Sequence, residues 1–488
     1  MENKKERTFF GQPHGLSTLF FTEFWERFSY YGMRAILLFY MMDKVSNHGL
    51  AYSQKTATSV MAIYGSLVYM SSVIGGFVSD RILGSRKTVF WGGVLIMFGH
   101  IALSFPAGSF ALWISIALIV IGTGLLKPNV SEMVGTLYTK DDVRRDSGFS
   151  IFVMGINFGS LLAPIIVGNL GQKVNYHLGF SIAAIGMFFG LMQYYFGGKK
   201  DLSEASLHPT DPITASEKWP LIRKILYFIV AAIIVFGIMG LMGALNVNNV
   251  IIVISTLGIA IPIFYFGMML TSSKTTKVER SRVWAYVPLF IASVLFWMIE
   301  EQGSVVLALF ASQQTNLNLG FMTIEPSNFQ TLNPLFIILY TPFFAWLWMK
   351  LGKRQPSTPS KFSYGLFFAG LSFVVMVIPI TLFGTSAKVS PLWLVLSWLI
   401  VEIGEMLISP VGLSATTKLA PKAFQSQMMS MWFLGDAAAQ AINAQLVKLY
   451  TPATEARYYG IIGIVTIIFG AILLFMVPRI KKLMEGVN

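Results

Sequence analysis

Residues 23–34 read Glu-Phe-Trp-Glu-Arg-Phe-Ser-Tyr-Tyr-Gly-Met-Arg, within an otherwise apolar stretch that is long enough to cross a membrane. At about 100° per residue, a helix over this stretch carries five polar side chains on roughly one third of its circumference. These side chains are Glu23, Glu26, Arg27, Tyr30 and Arg34. Each charge at the middle of a bilayer costs about 2.5–3.5 kcal/mol on insertion scales. The face must therefore line a protein interior or a wet cavity, as the paths of ions and substrates do.

The composition of the whole chain indicates an all-α polytopic membrane protein. Of its 488 residues 55% are hydrophobic and 12% are charged, whereas about a quarter of a soluble domain is charged. The mean hydropathy is +0.64. A net charge of +13 favours basic cytoplasmic loops over a nucleic-acid partner. The chain has no cysteine and five scattered histidines, so we expect neither disulfides nor a metal site.

Apolar runs predict fourteen membrane spans arranged as six, two and six, with boundaries uncertain by a few residues. The predicted spans are 16–43, 55–78, 87–105, 110–138, 146–170, 175–196, 221–244, 247–271, 283–312, 329–350, 362–385, 390–418, 422–450 and 456–478. A polar stretch over 197–220 separates the first six from the middle pair. The predicted organisation is a six-helix bundle over 1–200, linkers with an inserted helix pair over 201–281, and a second six-helix bundle over 282–488.

The distribution of basic residues predicts the orientation. If both termini are cytoplasmic, the internal loops are rich in lysine and arginine, although two external loops are also basic. A short repeat supports two related halves. The loop after span two contains Leu83-Gly84-Ser85-Arg86, and its counterpart in the second half contains Leu351-Gly352-Lys353-Arg354. The alternative is two unrelated basic loops with glycine turns. Asp80 and Arg81 resemble the loop signature of the major facilitator superfamily, whose substrate sites lie between two such halves.

Outside the first span, intramembrane charge is sparse and consists of Lys127, Glu132, Glu300, Glu301, Glu402, Glu405 and Asp436. Arg34 and Lys127 belong to the first half, and Glu301 and Glu405 belong to the second. A single buried charge without a partner is strongly unfavourable. We therefore expect acid–base pairs that form and break as the halves move, because protonation of a carboxylate removes its attraction for the base. Static structural bridges are the alternative.

The same side chains suit a zwitterionic ligand. Arg34 and Lys127 are suited to a carboxylate, and Glu405 to an ammonium group. Asn157 and Asn333 are suited to hydrogen bonds beside the ammonium, although an asparagine also joins helices. Five aromatic residues are candidates to line the cavity: Tyr30, Tyr31, Tyr69, Trp297 and Trp432. Packing or interfacial anchoring is the alternative for these aromatic residues.

Several motifs resemble those of the proton-dependent oligopeptide transporter family. The first is Glu23-x-x-Glu26-Arg27-Phe28-x-Tyr30-Tyr31-Gly32, and the second runs from Phe149 to Ser160 with Asn157 inside it. Three further motifs match: Lys127-Pro128-Asn129, Phe329-Gln330-x-Leu332-Asn333-Pro334, and Gly404-Glu405-x-x-x-Ser409-Pro410. Val153 departs from the family pattern, in which many members carry tyrosine. Bacterial members also carry an extra pair of spans between the halves.

The resemblance implies a major facilitator fold and proton-driven uptake of di- and tripeptides. It assigns the peptide carboxylate to Arg34 and Lys127, and the peptide amine to Asn157, Asn333 and Glu405. It assigns proton coupling to Glu23, Glu26 and Arg27, with Glu301 as a further candidate. The implied gating pairs are Arg34 with Glu301 and Lys127 with Glu405. We expect a monomer in the bacterial plasma membrane, with H⁺ as coupling ion and no cofactor.

Two alternative functions use other chemistry. The same fold can carry nitrate or another small anion, but the Glu-x-x-Glu-Arg motif and Glu405 argue against a pure anion carrier. The second alternative is a peptide receptor or an intramembrane enzyme. An enzyme needs a nucleophile with its base or a metal cluster, and the sequence shows neither.

Overall fold

The computed structural model describes residues 8–139, 142, 144–320 and 322–486. The described chain begins with a hairpin of two short antiparallel strands, β1 (Thr8–Phe9) and β2 (Gln12–Pro13), and continues as α-helices. The helices are α1 (Gly15–Met42), α2 (Gln54–Val78), α3 (Ser85–Ser104), α4 (Gly108–Thr136), α5 (Arg145–Ala163), α6 (Asn169–Lys173), α7 (Tyr176–Asp201), α8 (Ala215–Leu241), α9 (Val247–Thr271), α10 (Lys277–Glu300), α11 (Val306–Gln314), α12 (Leu332–Leu351), α13 (Thr358–Phe383), α14 (Leu392–Leu419), α15 (Gln425–Leu446) and α16 (Glu455–Leu483).

Twelve helical segments of the described chain are long and apolar enough to cross a membrane. This set confirms a polytopic helical protein and includes both α8 and α9. Two predicted spans, now α1 and α15, lie outside the set. Helix α1 carries the charged stripe of residues 23–34, and α15 is rich in glutamine, serine and asparagine. Both features lower hydropathy, so the count of fourteen spans stays a prediction.

The predicted span 283–312 lies within the apolar segment Lys277–Gln314, which is long enough to cross a membrane and is interrupted near its middle. Helix α10 ends at Glu300, a 3-10 turn occupies Glu301–Ser304, and α11 begins at Val306. Polar groups of an interrupted helix need hydrogen-bond partners inside a membrane, and the Gln302 side chain provides hydrogen bonds at this interruption. Its Nε2 donates to the carbonyl of Met298 at 2.8 Å and to Asn443 Oδ1 at 3.1 Å. The polar stretch 197–220 is also shorter than predicted, because α7 continues to Asp201 and α8 begins at Ala215.

Each of the two repeated loops contains a glycine in the positive-φ region. Gly84 and Gly352 both have positive φ, at 83° and 47°, a region that glycine enters without steric cost. Each glycine follows a long helix, α2 in the first half and α12 in the second. The loops predicted as a repeat therefore share a backbone feature at corresponding places.

The long helices pack as two groups with α9 beside them. In the first group, α1 packs against α5 and α7, while α3 packs against α4 and α7. In the second group, α13 packs against α14 and α16, and α10 packs against α15. Helix α2 of the first group contacts α15 of the second, and α9 lies against both. Helix α8 buries none of its described residues within the chain.

Hydrogen bonds join the two groups near the start of α2 and the end of α15, which we call the closed end. Ser59 Oγ donates to the carbonyl of Ala444 at 2.9 Å. Ser66 Oγ donates to the carbonyl of Ala437 at 2.8 Å. These serines are buried in the contact. Small side chains allow two membrane helices to approach this closely, so the closed end depends on them.

Gly65 tests this contact, because a Cβ atom there would lie 1.6 Å from Gln440 Oε1 on α15. We expect Gly65→Leu to separate α2 from α15 and to destabilise the protein by about 1–3 kcal/mol, the usual cost of overpacking. The chain has no native cysteine, so single cysteines introduced at Val45 and Leu449, which are 71% and 62% exposed, can carry spin labels. The distance between the labels, measured by pulsed electron paramagnetic resonance, reports the separation of the two helix groups.

The matched control is Gly237→Leu on α8, where a Cβ atom meets nothing within 4 Å. This control should keep the wild-type distance distribution and the wild-type stability. Equal label distances in Gly65→Leu and the wild type would show that the closed end tolerates a large side chain.

Candidate functional site

The polar stripe of α1 is an internally paired cluster. Arg27 Nε lies 3.0 Å from Glu23 Oε1 and 2.5 Å from Glu26 Oε2, and all three side chains are at most 4% exposed. Glu23 and Arg27 are four residues apart, a spacing that brings side chains together on adjacent turns, whereas Glu26 directly precedes Arg27. The Arg27 guanidinium also lies 5.4 Å from the centroid of the Tyr30 ring. Two carboxylates thus share one guanidinium, which leaves a carboxylate charge that a proton can neutralise.

Arg34 and Glu301 form an ion pair between the two helix groups. Arg34 Nη2 donates to Glu301 Oε2, and the two side chains are 7% and 8% exposed. Arg34 lies on α1, whereas Glu301 opens the 3-10 turn that interrupts the α10–α11 segment. The structure therefore joins the two residues that the sequence paired. Their role as a gate stays a prediction.

Lys127 and Glu405, the second predicted pair, are apart in this structure. Among the described residues, Lys127 makes no ion pair within 4 Å. Its Nζ lies instead 4.2 Å from the centroid of the Tyr69 ring and 6.0 Å from that of Phe433. A cation over aromatic faces gains part of the stabilisation that an ion pair gives. The ammonium group of Lys127 is consequently held without a bound carboxylate.

Three carboxylates of the second group form an acidic cluster: Glu300, Glu402 and Glu405. One oxygen of each lies within 4.8 Å of the others. Asn333 joins them, because its Nδ2 donates to Glu300 Oε1 at 2.7 Å and to Glu402 Oε1 at 2.8 Å. The second oxygens of Glu300 and Glu402 are buried without a hydrogen-bond partner among the described residues.

Sequence reasoning assigned Asn333 and Glu405 to the site but gave no role to Glu300 or Glu402. The spacing of Glu402 and Glu405 was a usable signal, since residues three apart lie on one face of a helix. Glu300 had no such signal. It is adjacent to Glu301, yet the two carboxylates serve different partners, Asn333 and Arg34 respectively. The break after α10 allows consecutive residues to contribute to two neighbouring clusters.

Carboxylates this close cannot all stay charged unless a proton or a cation joins them. Three such oxygens are also a donor set of the kind that hard metal ions use. The sequence predicted no metal, and we assign none, because shared protons, the Asn333 amide or a ligand ammonium satisfy the same oxygens. The acidic cluster is therefore suited to a small cation that is free to leave.

The other predicted site residues are distributed around these clusters. Asn157 Nδ2 donates to the carbonyl of Val153 in its own helix at 3.0 Å, so its amide is engaged within α5. Tyr30 and Tyr31 have ring centroids 5.2 Å apart, and Trp297 and Trp432 pack edge to face at 6.5 Å. The Tyr30 hydroxyl is buried without a hydrogen-bond partner among the described residues. Four of the five aromatic candidates thus form one pair in each group, and the fifth, Tyr69, lies under Lys127.

Comparisons with known proteins agree along nearly the whole chain. A sequence profile of the POT family matches residues 86–466. A di-/tripeptide transporter of Lactococcus lactis subsp. cremoris is 51% identical over 493 residues, covering 100% of this chain and 99% of the relative. An uncharacterized transporter, YclF, of Bacillus subtilis strain 168 is 56% identical over 482 residues, covering 99% and 97%. A crystal structure of the peptide transporter POT in complex with sulfate superimposes with a TM-score of 0.96 at 55% identity, covering 99% of this chain and 98% of that chain.

Proposed function

The chain belongs to the POT family, and from this premise we propose that it is a proton-coupled symporter that imports di- and tripeptides by alternating access. It is a secondary transporter and not an enzyme. Nitrate is not favoured as the cargo, since its relatives are di-/tripeptide transporters and an acidic cluster repels anions. Protons serve as the coupling ion, and no cofactor takes part.

The observation that carries this proposal is the separation of opposite charges between the two helix groups. Arg34 and Lys127 lie in the first group, and the acidic cluster with Asn333 lies in the second. A peptide backbone ends in a carboxylate and an ammonium group, so one ligand can engage both groups at once. Arg34 offers a planar fork to the carboxylate, and Lys127 offers a point charge. Recognition of the two termini leaves the peptide side chains loosely specified.

Proton coupling follows from the ion pair across the groups. Protonation of Glu301 removes its charge and releases Arg34, which frees the guanidinium for a peptide carboxylate. The Glu23–Glu26–Arg27 cluster gives a second place at which a proton can be held. One pH unit supplies about 1.4 kcal/mol per proton, and 100 mV supplies about 2.3 kcal/mol per charge. Together they sustain about 500-fold accumulation of a neutral zwitterion per proton.

The alternating-access state follows from the two gating pairs. The Arg34–Glu301 pair is formed near the closed end, while Lys127 and Glu405 are apart. With both termini cytoplasmic, as the basic loops favour, the closed end is extracellular and the site opens inward. We place the protein in the plasma membrane as a monomer with fourteen spans, counting α1 and α15. The bundles are residues 1–200 and 282–488, and 201–281 carries the inserted pair.

Uptake of labelled dialanine into proteoliposomes tests the proposed function. With the interior alkaline and negative, the purified protein should accumulate the peptide, and a protonophore should collapse the accumulation. Competition by tripeptides but not by nitrate identifies the cargo class. Folded protein that takes up nitrate, and takes up none of the peptides offered, would overturn the proposal in favour of the anion carrier.

A further inference from the structure

A buried acid outside the predicted site lies beside Lys127. Asp436 is on α15, is 3% exposed, and accepts a hydrogen bond from Gln440 Nε2 to Oδ1 at 3.0 Å. Its carboxylate also interacts with the hydroxyl of Tyr69 on α2. Asp436 therefore connects the second helix group to the first, close to the cavity of the predicted site. Nothing described above gives this carboxylate a role.

Lys127 approaches the same tyrosine. Its Nζ lies 4.2 Å from the centroid of the Tyr69 ring, so Tyr69 has the ammonium group over its face and Asp436 beside its hydroxyl. The Lys127 Nζ also lies 6.0 Å from the centroid of the Phe433 ring, which is one helical turn before Asp436 on α15. Opposite charges that are partly shielded from bulk water attract each other over several ångströms. Lys127 therefore has a counter-charge although its predicted partner Glu405 is apart from it.

We propose that Asp436 holds Lys127 whenever the Lys127–Glu405 pair is open, and that it thereby lowers the affinity of the site for the peptide carboxylate. This inference rests on the proposed function, in which Lys127 binds that carboxylate. The incoming carboxylate competes with Asp436 for the ammonium group and is also repelled by its charge. Asp436 is thus a positioning residue for Lys127, and its charge makes release of the peptide from the open site easier.

A purely structural role makes a different prediction. If Asp436 only completes the packing of α15 through Gln440, its charge does not matter to ligands of the site. A neutral side chain of equal size then changes the binding of every ligand alike, or changes none. The comparison of a ligand that has a carboxylate with one that lacks it separates the two roles.

The experiment measures equilibrium binding of dialanine and of dialaninamide to the purified full-length transporter, as wild type and as Asp436→Asn. We expect the Kd of dialanine to fall at least about fivefold in the variant, since close like-charge contacts oppose binding. The Kd of dialaninamide should change less than about twofold. Asp436→Ser is a second neutral variant with the same expected result, should Asp436→Asn not fold.

The matched control is Glu455→Gln. Glu455 is 1% exposed and bonds Gln314 in the second group, so this variant also neutralises a buried carboxylate but lies outside the site. It should keep both Kd values of the wild type. An unchanged or weaker Kd for dialanine in folded Asp436→Asn, or equal shifts for both ligands, would overturn the inference. Wild-type protein that fails to bind dialanine would instead refute the proposed function.

Discussion

Lys127→Ala is expected to abolish proton-driven accumulation of dialanine in proteoliposomes. The change removes the charge that we propose binds the peptide carboxylate, and it removes the base of the predicted Lys127–Glu405 pair. Truncating one partner of a hydrogen-bonded charge pair with a ligand costs about 2–5 kcal/mol. The initial rate of uptake should therefore fall to about a hundredth of the wild-type rate or lower. The measurement is uptake with an alkaline, negative interior.

Two further variants test this expectation, one in the same predicted pair and one as a control. Glu405→Gln removes the acid of the same predicted pair and should abolish accumulation as completely as Lys127→Ala does. Lys224→Ala makes the same lysine-to-alanine change on the exposed surface of α8, and it should keep wild-type uptake. Full accumulation against a gradient in both Lys127→Ala and Glu405→Gln would show that the switch-pair mechanism is wrong.

Arg34→Leu is expected to destabilise the protein and to stop uptake, because it leaves Glu301 buried without its guanidinium. The free energy of unfolding should fall by about 3–5 kcal/mol for the conformation in which the closed end is formed. Glu301→Gln in the same chain should recover part of this stability, since no unpaired charge remains. Uptake should stay absent in the double variant, because it lacks both the Arg34–Glu301 ion pair and the Arg34 guanidinium that we propose binds the peptide carboxylate. Thermal unfolding of the purified variants measures the first effect, and proteoliposome uptake measures the second.

A double-mutant cycle over these variants isolates the pair itself. Residues in direct contact usually show coupling energies of about 0.5–3 kcal/mol, and we expect the upper part of this range for a buried pair. Ser59→Ala with Glu301→Gln serves as the comparison, since Ser59 bonds Ala444 rather than Glu301. Strictly additive stabilities for Arg34→Leu and Glu301→Gln would mean that the ion pair does not hold the two groups together.

The parts of the site that were predictable from sequence share one physical basis. Charges within apolar runs are rare enough to stand out, and helical periodicity places near neighbours on one face. This is how Glu23, Glu26 and Arg27 were recognised as one cluster, which the structure shows as paired side chains. The charges themselves predicted only that basic groups of one half would pair with acidic groups of the other. The family resemblance implied the specific pairing of Arg34 with Glu301, which the structure shows as an ion pair.

The parts that were missed depend on contacts between helices distant in sequence. The break after Glu300 has no proline to mark it, and it is maintained by Asn443 and by Trp398, whose ring would meet a Cβ atom at Gly303 within 2.2 Å. The break gives Glu300 and Glu301 different partners. Neither the helical periodicity of the sequence nor the position of Glu300 next to Glu301 could therefore place Glu300 in the acidic cluster. The approach of Asp436 to Tyr69 and Lys127 likewise joins three helices.

The sequence by itself determined that the chain is a polytopic helical membrane protein with opposite charges in its two halves, because insertion energies and helical pitch are local properties of the chain. It also determined the family, through motifs that lie on single helices. Only the tertiary structure decided that Arg34–Glu301 is closed while Lys127–Glu405 is open, and that Glu300 and Glu402 join Glu405 around Asn333. The physical reason is that these contacts depend on how two helix groups are placed against each other, and that placement is what a transporter changes as it works.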